Sequence, residues 1–120
     1  MSNRTGLVSS YLKRSPSDVE LEWDICGSRR RLITGADGSP ASIHVTTMSG
    51  ARPHFHRTTT EYYYVLEGSG RLMVDGEPVP LEMGDVVMVR PGATHHAEGE
   101  LTCVVMGVPP FDPADQHLDA

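Results

Sequence analysis

Turn signals recur at short intervals along this chain, and they leave little room for anything but strands. Breaker clusters stand at GADGSP (35–40), GSG (68–70), DGEP (75–78), GD (84–85), RPG (90–92) and EGE (98–100). Between the later ones lie short apolar-rich runs: Tyr62–Leu66, Arg71–Val74, Val86–Val89 and Leu101–Val108. Strands at this spacing build a sandwich or a barrel. No long segment carries the 3.6-residue period of an amphipathic helix, and the 12 glycines and 9 prolines supply the turns an all-β fold needs.

The first half fits the same class. Asp18–Cys26 alternates strictly, with Val19, Leu21, Trp23 and Ile25 on one face and Glu20, Glu22 and Asp24 on the other, which predicts a half-buried strand. Before it, Ser15-Pro16-Ser17-Asp18 has the residues to cap a single helical turn. Arg29–Thr34 and Ala41–Met48 flank the GADGSP cluster and predict a hairpin. Arg29, Arg30 and Arg31 suggest a strand edge blunted by charge more than an anion site. A length of 120 residues suits one domain: an N-terminal segment 1–17, a β-barrel over 18–108, and a polar, Pro-rich tail over 109–120, expected on the surface as coil or one helical turn.

Sixteen acidic against 10 basic residues give a net charge of -6, which repels phosphate backbones and argues against nucleic acid as a partner. The N-terminus lacks the apolar core of a secretion signal, and no run approaches the roughly 20 apolar residues that span a bilayer, so no membrane association is expected and a cytoplasmic protein is the default. Cys26 and Cys103 are too far apart for a zinc knuckle or redox pair and read as reduced, buried small hydrophobes.

The chemistry concentrates at His54-Phe55-His56. Residues two apart in a strand project from one face and can chelate one ion. Glu61 opens the apolar run Tyr62–Leu66, where an unpartnered buried carboxylate would cost several kcal/mol and a metal would satisfy it. In GDVVMVRPGATHH (84–96) a strand enters a Pro-Gly turn and emerges at His95, whose imidazole can close the site from a neighbouring strand. Three imidazoles and one carboxylate suit Fe, Mn, Co, Ni, Cu or Zn as the divalent ion, without selecting among them.

These two segments together resemble the motifs of the cupin superfamily. The first runs Gly50, His54, His56, four residues, Glu61, six residues, Gly68; the second places Gly84, Gly92 and His95. The sequence departs from the usual pattern in three places: only three residues separate Gly50 from His54, Arg90 stands at an expected Pro, and Gly99 replaces a frequent Asn. The resemblance covers about residues 42–106 and implies an all-β double-stranded β-helix, the jelly-roll barrel. It further implies a divalent metal on His54, His56, Glu61 and His95, a small-molecule substrate, and a homodimer. The implied functions are a metalloenzyme of dioxygenase or isomerase/lyase type, a non-catalytic binding or sensor protein for a sugar or acid, or a structural or storage role.

Neighbouring residues are weighed by parity. His96 faces opposite to His95 and is not expected to ligate. Tyr63 shares the parity of Glu61 and His44 alternates with Ser42 and Thr46, which makes both weak catalytic candidates. Tyr62 and Tyr64 are expected to face away. Met48, Met88 and Met106 are expected as core filling, and Arg52 and Arg90 as exposed loop charges.

Overall fold

The computed structural model describes residues 9–119, so residues 1–8 of the N-terminal segment lie outside the described residues. Among the described residues, nine strands form one curled antiparallel sheet: β1 (Glu22–Trp23), β2 (Gly27–Ile33), β3 (Ser42–Met48), β4 (His54–Phe55), β5 (Thr60–Val74), β6 (Glu77–Glu82), β7 (Val86–Val89), β8 (His95–Val108) and β9 (His117–Leu118). The path runs β1-β2-β3-β8-β4-β9, and β5 pairs with β6, β7 and β8. Helical structure among the described residues is three short 3-10 turns, one of them Pro16–Asp18 behind the expected cap at Ser15. No helix among them is long and apolar enough to cross a membrane.

The spine is the long pairing of β5 with β8, which departs from the turns expected at two of the glycine clusters. GSG and EGE are not turns: β5 runs straight through Ser69 and β8 through Gly99, with Gly70 opposite Gly99. The two strands approach so closely that a Cβ on Gly70 would collide with the Glu98 carbonyl oxygen, and one on Gly99 would lie 2.8 Å from the Gly70 Cα. Glycine serves close backbone approach here, which composition alone cannot distinguish from a turn. The register also shifts between Val65 and Glu67, a bulge that bends β5. β6 was hidden from the sequence by Pro78 and Pro80; it pairs with β5 alone, and an edge strand tolerates proline.

Inside the curl, period-two alternation buries one side of each strand. Ser42, His44, Thr46 and Met48 point inward from β3; Glu61, Tyr63 and Val65 from β5; Leu101, Cys103 and Val105 from β8. Leu72, Leu81 and Val89 complete the apolar core at one end, while the polar members gather at the other. Of the methionines, Met48 is core, whereas Met88 is exposed on the outer face of β7 beside Val86 and Tyr64.

The expected strand over Asp18–Cys26 shrinks to Glu22–Trp23, and its faces are reversed. Trp23 is 71% and Leu21 51% exposed, while Glu22 and Asp24 turn toward β2. Arginine chemistry decides this. Arg29 opposes Thr46 and Arg31 opposes His44, so both share the inner side of β3, and half-buried guanidinium groups require carboxylate partners. Asp24 Oδ2 lies 2.9 Å from Arg29 Nη1, and Glu22 Oε1 2.8 Å from Arg31 Nε. Of the arginine trio only Arg30 turns outward, donating to the Pro16 and Val19 carbonyls.

The tail departs most from expectation. It contains the 3-10 turn Pro113–Asp115, but then adds β9 to the sheet, pairing His117 with Phe55 and Leu118 with His54. It is a strap across the polar end of the barrel.

Candidate metal centre

His54 on β4 stands directly opposite His95 on β8, so their side chains share the inner face. His56 follows two residues on, and the curl of the sheet brings Glu61 from the start of β5 across to meet them. All four are buried, at 1%, 3%, 6% and 1% exposure for His54, His56, Glu61 and His95. One ligand atom from each lies within 4.8 Å of the others. That spread fits donors held about 2.0–2.2 Å from a shared ion.

Main-chain carbonyls fix the orientation of all three rings. His54 Nδ1 is 2.9 Å from the Arg52 carbonyl oxygen, His95 Nδ1 2.9 Å from that of Ala93, and His56 Nδ1 3.0 Å from that of Asp115. A carbonyl only accepts, so each Nδ1–H donates, and the neutral ring presents Nε2 as a lone pair. His95 Nε2 lies 3.0 Å and His56 Nε2 3.2 Å from the same oxygen, Glu61 Oε1. The His56 contact lies off the hydrogen-bonding direction, leaving a buried nitrogen without a hydrogen-bond partner. Lone pairs converging on a carboxylate repel unless a proton or metal cation lies among them. The donor set, its main-chain support and the orphaned His56 nitrogen all fit a divalent ion.

Burial alone would raise the Glu61 carboxyl, but the imidazoles of His56 and His95 outweigh it and hold the group well below the usual carboxylate range. Burial also pulls His56 down, yet Glu61 and the Asp115 carbonyl reverse this and leave it raised. His54 is pushed down to about 4 by burial, with the neighbouring His95 adding to the effect.

Tyr63 and His44 both point inward, as parity predicts. The Tyr63 hydroxyl donates to Glu61 Oε1 at 2.9 Å, and burial together with the Glu61 charge raises it well above the ordinary tyrosine value. His44 is 5% exposed, pushed down to about 4 by burial and by Arg29, and meets Phe111 edge-on at 5.7 Å. His96 turns away to Glu98 Oε2 at 2.9 Å. Arg52 and Arg90 are exposed, although the Arg52 carbonyl serves His54.

Other members of the site were not read from the sequence. Cys26 is more than a small hydrophobe, since its Sγ lies 3.9 Å from His54 Nε2; burial and then Asp24 raise its thiol, so it stays protonated. Cys103 is a plain core thiol, pushed up to about 11 by burial. Asp115 ties the strap to the ligand loop, its carboxylate accepting from the main-chain N–H of Arg57, Thr58 and Thr59 at 2.9, 3.0 and 3.2 Å. Arg29 lies over the Phe111 ring at 5.0 Å. A cavity of ≈ 20 Å³ is lined by Arg29, His44, His54, Glu61, Phe111 and Gln116, among others. The carboxylates at 22 and 24 facing arginines at 29 and 31, each pair spaced by two, were the signal available for Arg29; nothing local marked the tail.

The chain is 30% identical to the tetracenomycin polyketide synthase protein TcmJ of Streptomyces glaucescens over 122 residues, 93% of this chain and 82% of the relative. A crystal structure of a protein from Planctomyces limnophilus superposes with a TM-score of 0.86 at 30% identity, covering 92% of this chain and 98% of that one. The polyketide cyclase RemF of Streptomyces resistomycificus superposes with a TM-score of 0.68 at 25% identity, covering 92% and 87%. The Cupin domain family profile matches residues 42–108, the span that carries all four converging side chains. With the curled sheet and the spacing of its motifs, this match makes the chain a member of the cupin family.

Proposed function

We propose that this cupin is a metal-dependent enzyme of the isomerase/lyase type that acts on a small molecule, with one divalent transition-metal ion on His54, His56, Glu61 and His95. The observation that carries this reading is the convergence of three buried imidazoles, each giving Nδ1 to a main-chain carbonyl, with the Nε2 atoms of His56 and His95 turned toward one ionised carboxylate, Glu61. When bound, such an ion supplies a Lewis acid that polarises a substrate oxygen. The chain's own residues do the rest. Glu61 offsets part of the cationic charge, and Tyr63, kept protonated, holds the carboxylate in place. His44 stays neutral near pH 7 and offers the substrate a hydrogen-bonding wall. The apolar core beneath excludes bulk water, which strengthens each of these interactions.

The likeness to a polyketide cyclase at 25% identity supports the lyase or cyclase branch over the dioxygenase branch. Elemental analysis of protein purified without added metal or chelator tests it. Near-stoichiometric zinc, nickel, cobalt or manganese agrees with the reading, whereas near-stoichiometric iron shifts it to oxygen chemistry. His56→Ala should sharply lower metal content in a barrel that still folds; unchanged content refutes the ligand set.

A further inference from the structure

Arg29 is an inward-facing cation that lines the cavity beside the candidate metal centre and that the proposed chemistry leaves unused. Its side chain is only 12% exposed, and it shares a cavity with His54 and Glu61. Its partners are already engaged. Asp24, 2.9 Å from Nη1, uses its other oxygen to accept from the main-chain N–H of Cys26 and Gly27 at 2.8 and 3.2 Å. Glu22 is held by Arg31 through both oxygens, at 2.8 and 2.9 Å, and its approach to Arg29 Nε is 3.5 Å, too long for a hydrogen bond. Arg29 Nε is therefore a buried donor with no acceptor. Leaving such a donor unmatched is costly, and a guanidinium fork matches a planar carboxylate through paired N–H groups.

We infer that Arg29 anchors an anionic oxygen of the small molecule bound here, a carboxylate in chemical class, whose neighbouring atoms face the ion on His54, His56, Glu61 and His95. The inference rests on the metal reading above. A planar carboxylate can meet the edge of a guanidinium through paired N–H groups. Phe111 lies against the guanidinium at 5.0 Å, covering it with an apolar ring and shielding the contact from solvent.

The test uses full-length protein loaded with Co(II), titrated with formate and with its neutral counterpart formamide, and read from the Co(II) visible spectrum. Wild-type protein should bind formate with a clear preference over formamide. Arg29→Gln should weaken formate binding at least tenfold while its Co(II) affinity stays within twofold of wild type. Arg29→Lys keeps the charge without the fork and should fall between the two; it also carries the test should the glutamine variant fail to fold. Normal Co(II) uptake with equal formate affinity in wild type and variant overturns the anchor alone. Failure of wild-type protein to take up Co(II) overturns the metal reading and the anchor together.

Discussion

Replacing Asp115 by Ala should damage both the stability of the barrel and its metal affinity, and the two losses have separable causes. The carboxylate accepts three main-chain N–H groups, from Arg57, Thr58 and Thr59. Arg57 and Thr58 are exposed, so water can replace the lost acceptor there; Thr59 is 3% exposed, so its N–H cannot be resolvated cheaply. An unsatisfied buried donor costs about 1–3 kcal/mol, and two solvent-replaced bonds to a charged acceptor add a smaller amount, so the expected loss is about 2–3 kcal/mol. The metal effect runs through His56, whose Nδ1 donates to the Asp115 carbonyl. That carbonyl survives the substitution but loses its anchorage, and removing such an outer support typically costs about 10–100-fold in metal affinity. Urea unfolding of metal-free protein measures the first term, and competition for Zn(II) against a chromogenic chelator measures the second. Asp115→Asn, which retains one acceptor oxygen, should lose less of both. A variant that loses stability yet keeps wild-type Zn(II) affinity within twofold would refute the claim that the strap orients a ligand.

Acid should destabilise the metal-free protein between pH 6.5 and 4. His44 and His54 are pushed down to about 4, so over that window the unfolded chain takes up protons that the folded one refuses, and stability falls as pH falls. For His44 alone this amounts to about 2 kcal/mol between pH 7 and pH 5; His44→Gln should flatten the pH dependence of chemical unfolding by that amount, and an unchanged slope counts against its burial as a neutral ring. His56 works in the opposite sense, because its raised value contributes stability below its unfolded pKa that is lost as pH rises through the folded one. Gly70→Ala should prevent folding or cost more than about 3 kcal/mol, because its Cβ meets backbone, whereas Gly84→Ala, with φ +91 and open space around it, should cost only about 1–2 kcal/mol of strain. Thermal melts of the two variants that coincide would remove the argument for close backbone approach between β5 and β8. The exposed outer face of Tyr64, Val86 and Met88 should pair two copies of the chain; a monomer by size-exclusion chromatography at micromolar concentration would contradict this.

The centre was legible in the sequence because its geometry is local. His54 and His56 share a face by strand periodicity, Glu61 and Tyr63 by the same rule, and the spacing to His95 matched a known motif. What stayed hidden depended on partners distant in sequence. β9 exists because His117 and Leu118 find the free edge of β4, and a Pro-rich tail gives no local sign of that edge. The alternation over Val19–Ile25 predicts an inward apolar side, but two inward arginines on β2 claim the acidic side instead. Gly68, Gly70 and Gly99 carry no mark that separates a close strand pairing from a turn until the β5/β8 register is known.

The four converging side chains are unequally secured. Glu61 and His95 stand on the two longest strands, each hydrogen-bonded along most of its length, whereas His54 lies on a two-residue strand braced by another of equal length, with His56 just past its end. Local opening follows the weakest pairing. Opening of that corner would therefore separate His54 and His56 from the other two side chains while Glu61 and His95 stay in place on scaffolding that need not come apart.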